Sequence, residues 1–254
     1  DGLTFPYNTR VVRSKDIRGP YLDIRGHNFT EGEGDSYPIV THPYKFEGAP
    51  GWFGVSHCCI FQQEGTGEWF YASQGRLPNN AYGNPRANSY MMGQIRRIVW
   101  CPASPEEPDN LWPIALPERY AGLPDVGKIT KKELIGTWEH IDLAYNYEYP
   151  IDSDISILYD YSKQDESQRL TLAKDGTMSG ALNGNWSFDE KKQQLTLGNV
   201  VVCVVREADW EAEPRKATIV YAGTSNDIFE ATVNEVNINT QDSEGNTPLH
   251  VAII

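Results

Sequence analysis

The side chains able to do chemistry are scattered, and the densest run is Ser56-His57-Cys58-Cys59. An imidazole at His57 could ligate a metal through a ring nitrogen. An isolated histidine is more often a core residue satisfied by hydrogen bonds, so both readings stand at this point. Cys58 and Cys59, on a strand, would point to opposite faces. Cys101 and Cys203 are isolated, and no CxxC spacing suggests zinc or thioredoxin-like chemistry. Four buried free thiols acting as small hydrophobes are the expected state, with a disulfide between two of them as the alternative. Arg96-Arg97 with Trp100 has the residue types of a nucleic-acid patch, but at a net charge of -13 an ion pair within the blade formed by these strands is the better account. Tyr145-Asn146-Tyr147-Glu148-Tyr149 is either a sugar platform or a surface loop anchored by its rings. There is no Gly-rich phosphate loop, no His-Glu-x-x-His and no Ser-His-Asp set.

The elements that must position these residues are strands. Seven Trp and fourteen Tyr stand beside 22 Gly and 16 Pro in 254 residues, a balance that favours short strands and frequent turns. Residues 1–50 alternate strand-like pieces, such as Thr9 to Ser14, with turns and a Gly-rich loop at Glu31 to Asp35. Trp52 to Phe61, Glu68 to Gln74, Tyr90 to Trp100 and Trp112 to Leu116 read as four successive strands, the composition of one propeller blade. Ile95 to Trp100 has no clean alternation and is expected to be buried on both faces. After a linker at Pro117 to Pro124, short strands recur with regular spacing through residue 224, including an Asp175-Gly176 hairpin turn and the apolar runs Val200 to Val205 and Thr218 to Ala222. No apolar run approaches the roughly 20 residues needed to cross a bilayer, and an export signal is expected upstream or already removed.

Several motifs, in order, resemble glycoside hydrolase family 43 endo-arabinanases. Gly51-Trp52-Phe53-Gly54-Val55-Ser56-His57-Cys58, Trp69 to Arg76, Met92 to Trp100 and Trp112 to Tyr120 look like the last blade of such a propeller. Tyr7 to Lys15 and Gly19 to Asp23 resemble the end of the blade before it. Gly136-Thr137-Trp138-Glu139-His140, Asp209-Trp210-Glu211-Ala212 and Thr218 to Gly223 are similar to the all-β domain that follows the propeller. The resemblance implies an all-β chain: the last one and a half blades of a five-bladed propeller at 1–120, a barrel or sandwich at 121–225, and a short tail at 226–254. Within the tail, Val236 to Ala252 resembles the opening of an ankyrin repeat, with a helix starting near Thr247-Pro248. The tail is read as a partial repeat or a junction segment.

What the resemblance implies for function is secretion and inverting hydrolysis of α-1,5-linked arabinan. The family's three catalytic acids belong to its first three blades, so none is assigned here, and Asp16, Glu47 and Glu64 are not promoted to that role. The chain alone is expected to be inactive, with the missing N-terminal blades as its partner and neither nucleic acid nor membrane as a ligand. His57 is carried over as a channel residue that anchors calcium, water supplying most of the oxygen shell that the ion prefers. Gln74 on the next strand could reach the same channel, Arg76 and Asn88 could touch sugar hydroxyls, and Trp52 or Phe53 could stack on an arabinose ring. For each of these five a packing or surface role is the alternative. A non-catalytic carbohydrate-binding module and a protein-interaction fragment are the competing functions.

Overall fold

A computed structural model describes residues 9–24, 26, 28–30, 38–40, 44–123, 127–142, 164–224, 236–242 and 248–249. Three short strands come first: β1 (Thr9–Arg10), β2 (Pro38–Val40) and β3 (Tyr44–Lys45). Next come β4 (Phe53–Gln62), β5 (Trp69–Arg76), β6 (Met92–Pro102) and β7 (Leu111–Ala115). The remainder comprises β8 (Gly136–Asp142), β9 (Asp165–Glu166), β10 (Gln168–Leu172), β11 (Thr177–Gly180), β12 (Gly184–Asp189), β13 (Gln194–Leu197), β14 (Val200–Asp209), β15 (Lys216–Thr224), β16 (Val236–Asp242) and β17 (Pro248–Leu249).

β4 to β7 form one antiparallel four-stranded sheet in sequence order, a propeller-type blade. Its strands fall within two residues of the expected ones. β6 departs from expectation in its burial. From Gln94 to Ile98 it alternates, with Gln94, Arg96 and Ile98 buried and Ile95 exposed, and the pattern breaks at Trp100, which is exposed, before Cys101, which is buried. The alternation is invisible in the sequence because the buried face carries polar residues. Arg96 is satisfied there by the Pro117 carbonyl (Nε, 3.1 Å), the Tyr44 hydroxyl (2.8 Å) and the Gln94 amide oxygen.

The second sheet runs β8-β10-β11-β12-β13-β14-β15-β16, and β16 pairs back onto β8, so eight antiparallel strands close a barrel with β17 appended to β16. Asp175 closes the β10–β11 hairpin by accepting hydrogen bonds from the Thr177 amide (3.0 Å) and hydroxyl (2.7 Å). Trp138, Leu170, Leu195, Val202, Val204, Ile219 and Tyr221 pack inside. The alternate residues of the same strands, Ile141, Cys203, Val205, Val220 and Ala222, join the blade's own core around Trp112, Ile114 and Ile98. Residues 200–205 and 218–222 read as unbroken apolar runs because one face fills the barrel and the other packs on the blade.

Three expectations change. The tail does not begin a helix: Pro248–Leu249 is strand, and residues 236–242 are the strand that closes the barrel, so the ankyrin-like reading finds no support. Val236-Asn237-Ile238-Asn239-Thr240 alternates β-branched residues with asparagine, a period-two pattern that the Thr-Pro-Leu-His motif obscured. Cys101 and Cys203 are joined in a disulfide that ties β6 to β14, leaving Cys58 and Cys59 free and exposed. The segment after β7 is packed rather than solvated. The Leu116 amide donates to Arg97 (2.8 Å), the Tyr120 amide donates to Ile95 (2.7 Å), and Glu118 is 2% exposed. Tyr145 to Tyr149, the Gly-rich loop at 31–35 and Thr247 lie outside the described residues.

Candidate functional site

β4 is an edge strand of the blade, and its backbone is irregular around His57. Phe53 pairs with Arg76, Ser56 with Gln74 and Cys59 with Ala72, so three steps along β4 twice match two steps along β5. Each mismatch is a β-bulge, and each contains a residue with positive φ: Gly54 at 56° and His57 at 54°. Glycine takes that conformation freely. A histidine takes it only at a cost of about 1–2 kcal/mol, and such outliers concentrate where a side chain must be re-aimed. The bulge turns His57 to an exposed position beside Ser56 and one pair away from Gln74. Below it, the Thr9 hydroxyl on β1 bonds Ser56 Oγ (2.9 Å) and the Tyr71 hydroxyl (2.7 Å), pinning the bulge to the preceding strand. Burial raises the Tyr71 phenol well above its usual range, so Tyr71 is a neutral partner in that link.

The other expected site residues divide. Gln74 is half-buried on β5 next to the bulge. Arg76 donates to the Asn88 carbonyl (3.2 Å), and Asn88, 7% exposed, donates to the Leu77 carbonyl (2.9 Å), so both brace the β5–β6 connection. Trp52 is 6% exposed with the Arg119 guanidinium over its ring at 5.1 Å. Its face is occupied, which favours the packing alternative over sugar stacking. Among the described residues, no group of three metal-ligating side chains includes His57, so these residues do not by themselves build a calcium shell around it. Asp16 pairs with Arg18 and Glu47 with Arg169, all exposed at the surface.

A second concentration of charge lies between blade and barrel. Arg97 bridges Glu68 on the blade (3.2 Å) and Glu207 on β14 (3.2 Å). Burial pushes the Glu207 carboxyl up to about 7, with Arg97 partly offsetting it. Arg119 lies between the Trp52 and Trp210 rings, and Trp210 donates its indole N–H to the Arg119 carbonyl (2.6 Å). The motifs around Glu118 and Asp209 both belong to the resemblance, but about 90 residues separate them. Nothing in the sequence indicates that they meet.

Comparisons with known proteins fit this two-part architecture. Residues 117–229 match the family model for the C-terminal lipocalin-like domain of glycoside hydrolase family 43. The chain is 24% identical over 239 residues to an extracellular endo-α-(1→5)-L-arabinanase of Thermotoga petrophila, covering 87% of this chain and 44% of that protein. It is 27% identical over 234 residues to extracellular endo-α-(1→5)-L-arabinanase 2 of Bacillus subtilis, covering 85% and 44%. Among solved structures, the Thermotoga petrophila endo-1,5-α-L-arabinanase superposes with a TM-score of 0.61 at 20% identity, over 92% of this chain and 48% of that one. A family 43 glycoside hydrolase from Bacillus licheniformis superposes with a TM-score of 0.63 at 19% identity, over the same shares. The chain thus spans about half the length of the relatives it matches. The family likeness is thus confined to residues 117–229, which are similar to the C-terminal lipocalin-like domain of those glycoside hydrolases.

Proposed function

We propose that this chain is the C-terminal part of a secreted, inverting hydrolase of α-1,5-linked arabinan. The observation that carries the reading is the His57 bulge on edge strand β4, a backbone held at positive φ at the residue for which the resemblance implies a channel role. The extracellular endo-arabinanase relatives supply the substrate class, and the Cys101–Cys203 disulfide suits an oxidising compartment.

Inversion needs a carboxylate base and a protonated carboxyl about 6.5–9.5 Å apart, with water between them. In this reading the remaining blades supply those acids, and the present chain supplies one wall of the channel. His57 contributes a single imidazole there, and Gln74 an amide one strand away. If calcium occupies the channel, its other ligands come from water and from the facing blades. The chemistry it would supply is electrostatic, and no step is assigned to it here.

The test compares the 254-residue chain with the full-length enzyme on linear arabinan, following oligosaccharide release by anion-exchange chromatography. The isolated chain releases none. His57→Ala in the full-length enzyme lowers kcat/KM at least about tenfold, a loss of roughly 1.4 kcal/mol in transition-state stabilisation. Product release by the isolated chain, or an unaltered His57→Ala enzyme, would overturn the reading.

A further inference from the structure

Odd-numbered positions of β14 face the blade: Cys203 is bonded to Cys101, Val205 packs against the blade-centred core and Glu207 meets Arg97. The same alternation carries Asp209, at the end of the strand, into the interface, where it is fully buried. Glu211 follows in the turn before β15, and Glu118 comes from the packed segment after β7. Each of the three offers a carboxylate oxygen within 4.8 Å of those of the other two.

These carboxylates are only half used. Asp209 Oδ1 accepts from the Glu211 and Ala212 amides, both at 3.0 Å, and so caps the turn. Glu211 Oε1 lies 3.6 Å from the Arg119 guanidinium. Three oxygens, Glu118 Oε1, Asp209 Oδ2 and Glu211 Oε2, are buried with no hydrogen-bond partner. They come from two distant segments, the stretch after β7 that hydrogen-bonds to β6 and the end of β14 with its turn, and Glu118 and Asp209 are nine-tenths buried or more. Leaving a buried carboxylate oxygen uncompensated costs several kcal/mol per ion. Arg119 is engaged with two indole rings as well as Glu211, and Arg96 is held by Tyr44, Gln94 and Pro117.

Two species could relieve the crowding: a shared proton or a cation. A single shared proton joins only two oxygens, at about 2.5–2.7 Å, and leaves the third of these three without a partner. Oxygens bound to one calcium ion, at 2.3–2.6 Å each, can stand up to about 5 Å apart. The all-oxygen donor set suits a hard divalent ion rather than a thiophilic one. We propose that Glu118, Asp209 and Glu211 bind one divalent cation of calcium size, which clamps the barrel domain to the blade. This site uses none of the residues of the His57 bulge and stands or falls apart from the proposed catalytic reading.

The test titrates the metal-stripped chain with terbium, exciting tryptophan and reading sensitised emission, since Trp210 adjoins two of the ligands in sequence. Calcium then competes, and thermal unfolding is followed with calcium against chelator. The expected result is a saturable signal, displaced by calcium and accompanied by a Tm several degrees higher with the metal. Asp209→Asn keeps the Oδ1 cap and Glu118→Gln keeps the volume. Each should weaken binding at least about tenfold while near-UV circular dichroism stays native, and His57→Ala should leave it unchanged. If a variant does not fold, the wild-type titration and the other variant decide. Absence of sensitised emission and of a calcium-dependent Tm shift in the wild type would overturn the site. So would binding that survives both carboxylate substitutions or disappears with His57→Ala.

Discussion

His57 illustrates how a single residue can be held against its own backbone preference. Gly and Ala both remove the imidazole, but only Gly accepts φ 54° without strain. His57→Gly should therefore be more stable than His57→Ala by about 1 kcal/mol in chemical denaturation. Equal stabilities would mean that the bulge relaxes in solution. Glu139 is a different case, a carboxyl whose environment favours the proton. It is 2% exposed, accepts hydrogen bonds from Ser167 Oγ (2.6 Å) and the Glu47 amide (2.9 Å), and faces the Glu47 carboxylate and Arg169. Burial outweighs those hydrogen bonds and raises its pKa from 4.5 to about 7. The folded state then holds the proton more tightly than the unfolded chain does. Its contribution is full below pH 4.5 and is lost as pH rises through 7. Between pH 5 and 8 this amounts to about 1–3 kcal/mol, and Tm should fall across that interval. Glu139→Gln, which can still accept both hydrogen bonds, should flatten the profile. An unchanged slope would place the titration elsewhere.

Strands and turns impose a separate set of constraints. Gly180 ends β11 at φ 107°, and a Cβ there would stand 2.2 Å from the Arg169 carbonyl oxygen. Gly180→Ala should cost about 1–3 kcal/mol, because backbone rather than a flexible side chain must move. β16 pairs with β15 along Thr218 to Thr224 and with β8 along Glu139 to Asp142. A chain ending at Thr224 would leave two open strand edges, which are templates for association. Light scattering should show self-association, and hydrogen exchange should show faster β15 amides. Unaltered protection would mean that the barrel closes without β16. The blade strands were legible because their turn residues and aromatic content are strong local signals. β16 was misread because a Thr-Pro-Leu-His sequence suggested a helix start, while pairing with two distant strands is a non-local effect.

At the scale of the whole molecule, blade and barrel form one packed body rather than beads on a linker. Ile141, Val220 and Ala222 of the barrel share the blade's core, while Arg97–Glu207 and the Cys101–Cys203 disulfide cross the same boundary. Alkylation of the unfolded, unreduced chain should label only Cys58 and Cys59, and prior reduction should expose all four thiols by mass. Four labels without reduction would remove the disulfide. Replacing Cys101 and Cys203 by serine should lower stability by about 2–5 kcal/mol.

The sequence by itself determined the all-β class, the four blade strands and the two apolar runs, because turn chemistry and strand pattern act over a few neighbouring residues. It also carried the resemblance that led to His57. Only the tertiary structure decided which faces of those runs meet the blade, that Cys101 reaches Cys203, and that Glu118 and Asp209 share one buried space. Those outcomes depend on how two sheets dock, and a charge or thiol in the sequence does not reveal which distant partner that docking will bring to it.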